Sequence, residues 1–215
     1  MDVSPESKSP ESKVAGRATI PAIALLLTIL IVAAALLWRP GGSSAAEPFG
    51  SRVAGCLACH GETGQSANPE IPSLGAQTAP YALIQLYMFR NRLRINEIMN
   101  DAVKDFSDED LRTFSDFIAK LPAPPPASEP ADPARMQRGQ ALVRQHRCDF
   151  CHNADLAGRD DVPRIAGQRE DFLAKTMREY KSNTRAGYDA AMASVVQPLN
   201  DADIVDLAHY VARQP

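Results

Sequence analysis

The sequence predicts an all-α protein of two tandem domains preceded by one transmembrane helix. Three observations predict it. A pentapeptide of the form C-x-x-C-H occurs twice, as Cys56-Leu-Ala-Cys59-His60 and Cys148-Asp-Phe-Cys151-His152, and these stretches hold all four cysteines of the chain. The residues around the two copies keep a register of 91 to 93 positions, the sign of an internal repeat. Apolar residues recur at helical spacing, and no stretch gives convincing strand alternation.

Residues 1–18 are rich in Ser, Pro, Glu and Lys and have too little apolar surface to fold, so they are expected to be disordered and cytoplasmic. Residues 19–38 are twenty residues without a charge. As a helix, at about 1.5 Å per residue, they span roughly the 30 Å hydrocarbon layer. They are expected to be a membrane anchor. The alternative is the apolar region of a signal peptide cleaved near Ser44-Ala45-Ala46, but such regions usually run about 7–15 residues. Lys8, Lys13 and Arg17 precede the span and only Arg39 follows closely, which places the remainder outside the cytoplasm. Residues 39–46 read as a flexible tether.

Residues 47–121 form the first expected domain and 134–215 the second. Between them, 122–133 carries six prolines in twelve residues, a semi-rigid, extended linker. Asp132-Pro133 reads as N-cap and first position of a helix to about Gln145. Pro80 to about Asn91 and Asp171 to about Tyr180 have helical apolar spacing. Ser107 and Asn200 are matching N-caps, each followed by acids in the first turn. Behind them Leu111, Phe114, Ile118 and Ile204, Leu207, Val211 make one apolar face each.

C-x-x-C-H is the attachment signature of c-type haem. Two thiols three positions apart reach the two vinyl groups of one porphyrin and form thioethers, and the adjacent histidine then lies under the ring with its imidazole on the iron. Cys56, Cys59, Cys148 and Cys151 are the expected attachment points, and His60 and His152 the expected iron ligands. A zinc site joining all four cysteines is the strongest alternative; a thioredoxin-like redox pair or disulfides are others. A zinc site leaves the histidine after each pair, and the matched downstream methionines, without a role.

The ligand opposite the histidine sets the potential. Met99 and Met192 are 93 positions apart and each precedes its helix N-cap by eight residues, so they keep the repeat register and are the expected sixth ligands. Thioether ligation favours Fe(II) and a high potential. Met88 and Met177 lie inside amphipathic helices and read as core. His146 and His209 have no counterparts in the other repeat and read as partly solvated surface residues. Pro72 and Pro163 recur in Ile71-Pro-Ser-Leu-Gly-Ala-Gln77 and Val162-Pro-Arg-Ile-Ala-Gly-Gln168. A carbonyl there can accept the other N–H of a metal-bound histidine; equally, each proline can serve only to shape a turn.

With these motifs the chain resembles the class I cytochromes c and, more closely, the tandem two-haem cytochromes of the cytochrome c-four type, over about residues 50–213. The resemblance implies two class I domains, each built around one covalent haem with His/Met ligands. It also implies that the first and last helices of each domain cross beside the haem. Gly139 then permits close crossing against Tyr210, and Phe117 matches Tyr210 in the first unit. That unit has little room for a first helix, and no glycine aligns with Gly139.

The function expected is electron transfer between membrane-bound donor and acceptor complexes on the periplasmic side of the bacterial inner membrane, without a substrate of its own. The alternatives are a haem enzyme or gas sensor with one open-coordinate iron, or a fixed electron-entry subunit of an oxidase or dehydrogenase. A net charge of −3 gives no basic excess for nucleic acid. The first unit carries ten acids against seven bases and the second eleven against twelve, a weak asymmetry that reads as ordinary solvated surface.

Overall fold

The computed structural model describes residues 48–185 and 189–215; residues 1–18, the expected span at 19–38 and the tether lie outside the described residues. Among the described residues no helix is long and apolar enough to cross a membrane. The elements are helices α1 (Phe49–His60), α2 (Ala79–Arg90), α3 (Glu97–Val103), α4 (Asp108–Lys120), α5 (Pro133–Gln145), α6 (Cys148–His152), α7 (Glu170–Lys181), α8 (Ala190–Val196) and α9 (Asp201–Val211). The described residues hold no strand, only an isolated bridge between Arg159 and Val162.

The helix ends follow from side-chain chemistry. Ser107 accepts from the Asp110 N–H while the Asp110 carboxylate accepts from the Ser107 N–H, and Asn200 and Asp203 repeat this capping box. Each box satisfies two backbone N–H groups that a helix start would leave open. The Asp132 side chain accepts from the N–H groups of Ala134 and Arg135, and Pro133 takes the first position, where no N–H is needed. α1 has no side-chain cap. It begins at Phe49 and runs directly into the first C-x-x-C-H segment, so the first unit does possess an N-terminal helix, merged with its motif. In the second half α5 and α6 are separate, divided by Arg147 in the left-handed region at φ 55°.

Two apolar cores result. Ala82, Leu86, Phe89, Val103, Leu111, Phe114 and Ile118 fill the first, where α2 packs against α3 and α4. The second includes Val143, Leu173, Val196, Ile204, Leu207 and Val211, with α9 against α5 and α7 and α8 against α7. Burying each Val, Leu, Ile or Phe among them contributes about 1.5–3 kcal/mol. Leu111, Phe114 and Ile118 stand at the same register as Ile204, Leu207 and Val211, and all six are buried.

The linker runs extended from 122 and does not stand clear of the fold. Pro124 is buried, the Ala127 N–H donates to the Ala212 carbonyl at 2.8 Å and the Ala76 N–H to that of Leu121 at 3.0 Å. A Cβ on Gly167, which has φ +67°, would fall on the Pro124 carbonyl oxygen. His209, expected at the solvated surface, is buried instead. The Asp132 N–H donates to its Nε2 at 3.0 Å, and its Nδ1 lies 3.1 Å from Glu170. It ties the end of the linker to α7 and α9.

At the first core, the Arg52 guanidinium lies 4.3 Å from the Phe106 ring centroid and donates to Asp110 at 2.5 Å. This bond, followed by those from Ser107, holds the Asp110 carboxyl down at about 2. A carboxyl depressed on folding stabilises the fold fully above its ordinary value of about 4, and that contribution is lost as pH falls through the folded value. Asp110→Asn is therefore expected to lower stability at pH 7 and to leave it nearly unchanged at pH 2. Denaturant midpoints against pH check this, and parallel acid limbs for the two proteins would refute it.

Candidate haem-binding sites

Each motif lies on helix, so its two cysteines are one turn apart on one face. All four are free thiols, with Cys56 and Cys148 half-buried and Cys59 and Cys151 exposed. Burial pushes the Cys56 thiol up and the Cys148 thiol up to about 11. Among the described residues no group of three or more His, Cys, Asp or Glu side chains could hold a metal ion, so the two pairs do not converge on one zinc site.

His60 and His152 are each 7% exposed. Burial lowers both imidazole pKa values, against a hydrogen bond that raises them. That bond is the same in both halves. His60 Nδ1 lies 2.9 Å from the Pro72 carbonyl oxygen, and His152 Nδ1 lies 2.8 Å from that of Pro163. A carbonyl only accepts, so Nδ1 carries the hydrogen and Nε2 presents its lone pair. A neutral imidazole with Nε2 free and Nδ1 anchored has the form that ligates iron.

Met99 and Met192 occupy equivalent positions, the third residue of α3 and of α8. The Asn96 side chain accepts from the Met99 N–H at 3.1 Å, and Asp189 from the Met192 N–H at 3.3 Å. Met99 packs with Cys56 against the first core, and Met192 with Cys148 against the second. The buried Asn100 holds the approach to Met99, donating to the carbonyls of Phe89 at 2.6 Å and Arg94 at 2.9 Å and accepting from the Asn96 N–H. Nothing in the motif spacing marks Asn100.

A second group missed in the sequence is cationic. The register pairs Arg92 with Arg185, yet Arg92 is exposed and bridges to Glu97 at 2.8 Å. Arg94 turns inward. Burial, and then the charge of Arg185, push its guanidinium down to about 10. Tyr81, Tyr180 and Glu179 act on both arginines. Arg185 is buried and pairs with Glu179 at 2.9 Å, while Arg94 donates to Gln85 at 2.5 Å.

These residues fit a covalent haem. Paired free thiols, a buried imidazole with Nε2 available and a thioether recur in each half. Ile84, Tyr87, Ile95, Ile98 and Phe150 are large apolar side chains left at least 40% exposed, suited to an apolar macrocycle.

Comparison with known proteins agrees. The cytochrome c family model matches residues 136–214. Cytochrome c4 of Thiocapsa roseopersicina is 30% identical over 189 residues, which cover 80% of this chain and 96% of that protein. The thiosulfate dehydrogenase electron acceptor of Thiomonas intermedia is 28% identical, covering 84% and 87%. The crystal structure of reduced recombinant cytochrome c4 from Pseudomonas stutzeri superposes with a TM-score of 0.69 at 27% identity, covering 77% of this chain and 96% of that one.

Proposed function

This chain belongs to the cytochrome c4 family, and from that membership we propose that it shuttles electrons between membrane-bound respiratory complexes on the periplasmic side of the inner membrane. It binds two covalent haem c groups, one at Cys56 and Cys59 and one at Cys148 and Cys151. In this reading His60 and Met99 hold the first iron, and His152 and Met192 the second. The observation that carries it is the doubled arrangement of a C-x-x-C-H helix with its histidine Nδ1 on a proline carbonyl, at 2.9 Å and 2.8 Å.

Each iron supplies a one-electron change between Fe(II) and Fe(III). The protein's part is to hold that change nearly free of rearrangement. The Pro72 and Pro163 carbonyls fix the imidazole planes and raise their basicity. The capped starts of α3 and α8 fix the methionines. Arg94 and Arg185, both turned inward, would be available to haem carboxylates. With His60 and Met99 on one iron and His152 and Met192 on the other, neither would offer a position to a substrate, so the protein is read as a carrier and not an enzyme. The uncharged residues 19–38 support an anchor that keeps both haems at the membrane.

The likeness to a thiosulfate dehydrogenase electron acceptor favours a second reading, in which the electron donor is a periplasmic oxidoreductase. Redox titration of the purified holoprotein with its visible spectrum tests the core of both. Two covalent, low-spin, high-potential haems are expected. A high-spin haem, or one of much lower potential, would displace the His/Met assignment and favour an open-coordinate enzyme or sensor. Two high-potential haems that leave the membrane only with a fixed partner would favour the subunit role.

A further inference from the structure

The repeated strings end in Gln77 and Gln168, and their side chains cross between the halves. Gln168 Oε1 accepts from the Ser73 N–H at 2.9 Å, and its Nε2 donates to the Ser73 carbonyl at 2.9 Å. Gln77 does the same in return: Oε1 accepts from the Arg164 N–H at 2.7 Å, and Nε2 donates to the Arg164 carbonyl at 3.1 Å. Ser73 and Arg164 are themselves repeat equivalents, so the contact is a two-fold exchange. Each amide oxygen also accepts from the next residue of its own half, Thr78 or Arg169. This fixes the side-chain rotamer before it reaches across. Gln168 is 8% exposed.

The chemistry lies in which peptide is held. The Ser73 N–H and the Pro72 carbonyl belong to one amide. That amide accepts the His60 Nδ1–H on its oxygen and gives its own N–H to Gln168. The Pro163–Arg164 amide likewise joins His152 to Gln77. An amide whose N–H is bound is polarised, and its oxygen becomes a stronger acceptor. A stronger acceptor on Nδ1–H makes the imidazole a better electron donor to a metal. That favours Fe(III).

We infer that Gln77 and Gln168 are crossed positioning residues, each setting the reduction equilibrium of the haem in the opposite half through the peptide that anchors its histidine. The inference rests on the axial histidines proposed above. It gives a two-haem chain a means of tuning one iron from the other half without any side chain reaching the haem.

The test uses holoprotein carrying Gln168→Leu or Gln77→Leu. Each haem is assigned by NMR from the proximity of its thioethers to Cys59 or Cys151, and each is followed through a redox titration. In Gln168→Leu the haem at His60 is expected to shift toward the reduced form by up to about twofold in its equilibrium constant, the ~10–30% by which one bound amide strengthens the next hydrogen bond. The haem at His152, in the half that carries the mutation, stays in place. Gln77→Leu is expected to give the mirror image. Lys175→Ala removes an ion pair to Glu70 that also crosses between the halves but touches neither peptide, and should move neither haem. Gln168→Asn, one methylene shorter, gives the same comparison if the leucine variant does not fold. A shift in the haem of the mutated half, equal shifts in both haems, or no shift overturns the inference. Failure to find two low-spin covalent haems in the unmutated protein would instead overturn the ligand assignment beneath it.

Discussion

On the proposed assignment of His152 with Met192 and His60 with Met99, Met192→Ala is expected to open the sixth position of the second haem and Met99→Ala that of the first. A thioether is a soft ligand that stabilises Fe(II). Losing it should lower that haem's potential by tenths of a volt, on the order of a third of the ~0.8 V that axial ligands span. The reduced variant should bind carbon monoxide at one haem, where the parent is expected to bind none. The competing ligands are few. His209 is removed by its own bonds, since Asp132 N–H donates to Nε2 and Nδ1 lies 3.1 Å from Glu170. Met177 packs against the second core from α7. Met99 and Met192 alone share both the repeat register and the third position of a capped short helix. An unchanged spectrum and no carbon monoxide binding in either variant would place the sixth ligand elsewhere.

The parts of this structure legible in the sequence are those that local chemistry decides. Asp132-Pro133 marks the start of α5 because the carboxylate caps two N–H groups and the proline needs none. The boxes at Ser107 and Asn200 mark α4 and α9 for the same reason. The apolar faces behind them are buried as their spacing requires. α3 and α8 were not legible. Seven residues make about two turns, too few for periodicity to register. α1 was missed because Pro48 and Phe49 give no capping signal.

Long-range partners were the other blind spot. Gln77 and Gln168 are plain in the repeated strings, yet nothing local says that each faces a backbone amide 87 or 95 residues away. His209 lacked a repeat counterpart and so read as surface. It is buried because Glu170 and Asp132 meet it from distant segments. The repeat register sets Arg92 against Arg185, but the residue that turns inward is Arg94, two positions on. An internal repeat thus conveys which elements correspond, and much less about which side chains turn toward the seam where the halves meet.

The crossing of α5 and α9 should be weakened by any side chain at Gly139. A Cβ there would lie 2.5 Å from the Tyr210 Cβ and nearer still to the Asp206 carbonyl oxygen. Neither atom is the end of a flexible chain, so relief requires the helices to part. Parting them would strain the bonds from Arg138 and Arg135 to Asp206, at 2.5 Å and 3.4 Å. Overpacking of this kind costs about 1–3 kcal/mol or more, while alanine returns up to about 1 kcal/mol of helix propensity. Contact with main chain puts the cost at the upper end, so Gly139→Ala should lose about 2 kcal/mol and Gly139→Val roughly 3 or more. The first half solves the same problem differently. Its α1 starts too late to supply a matching glycine, and Phe49 packs its ring on Phe114 at 4.9 Å and Phe117 at 5.8 Å. Gly50 in α1 has nothing within 4 Å of an added Cβ, so Gly50→Ala should be neutral or slightly stabilising. Denaturant unfolding of the two alanine variants in the holoprotein decides the matter. Equal midpoints would mean that α5 and α9 can part at no cost, and that close crossing is not what holds the second half together.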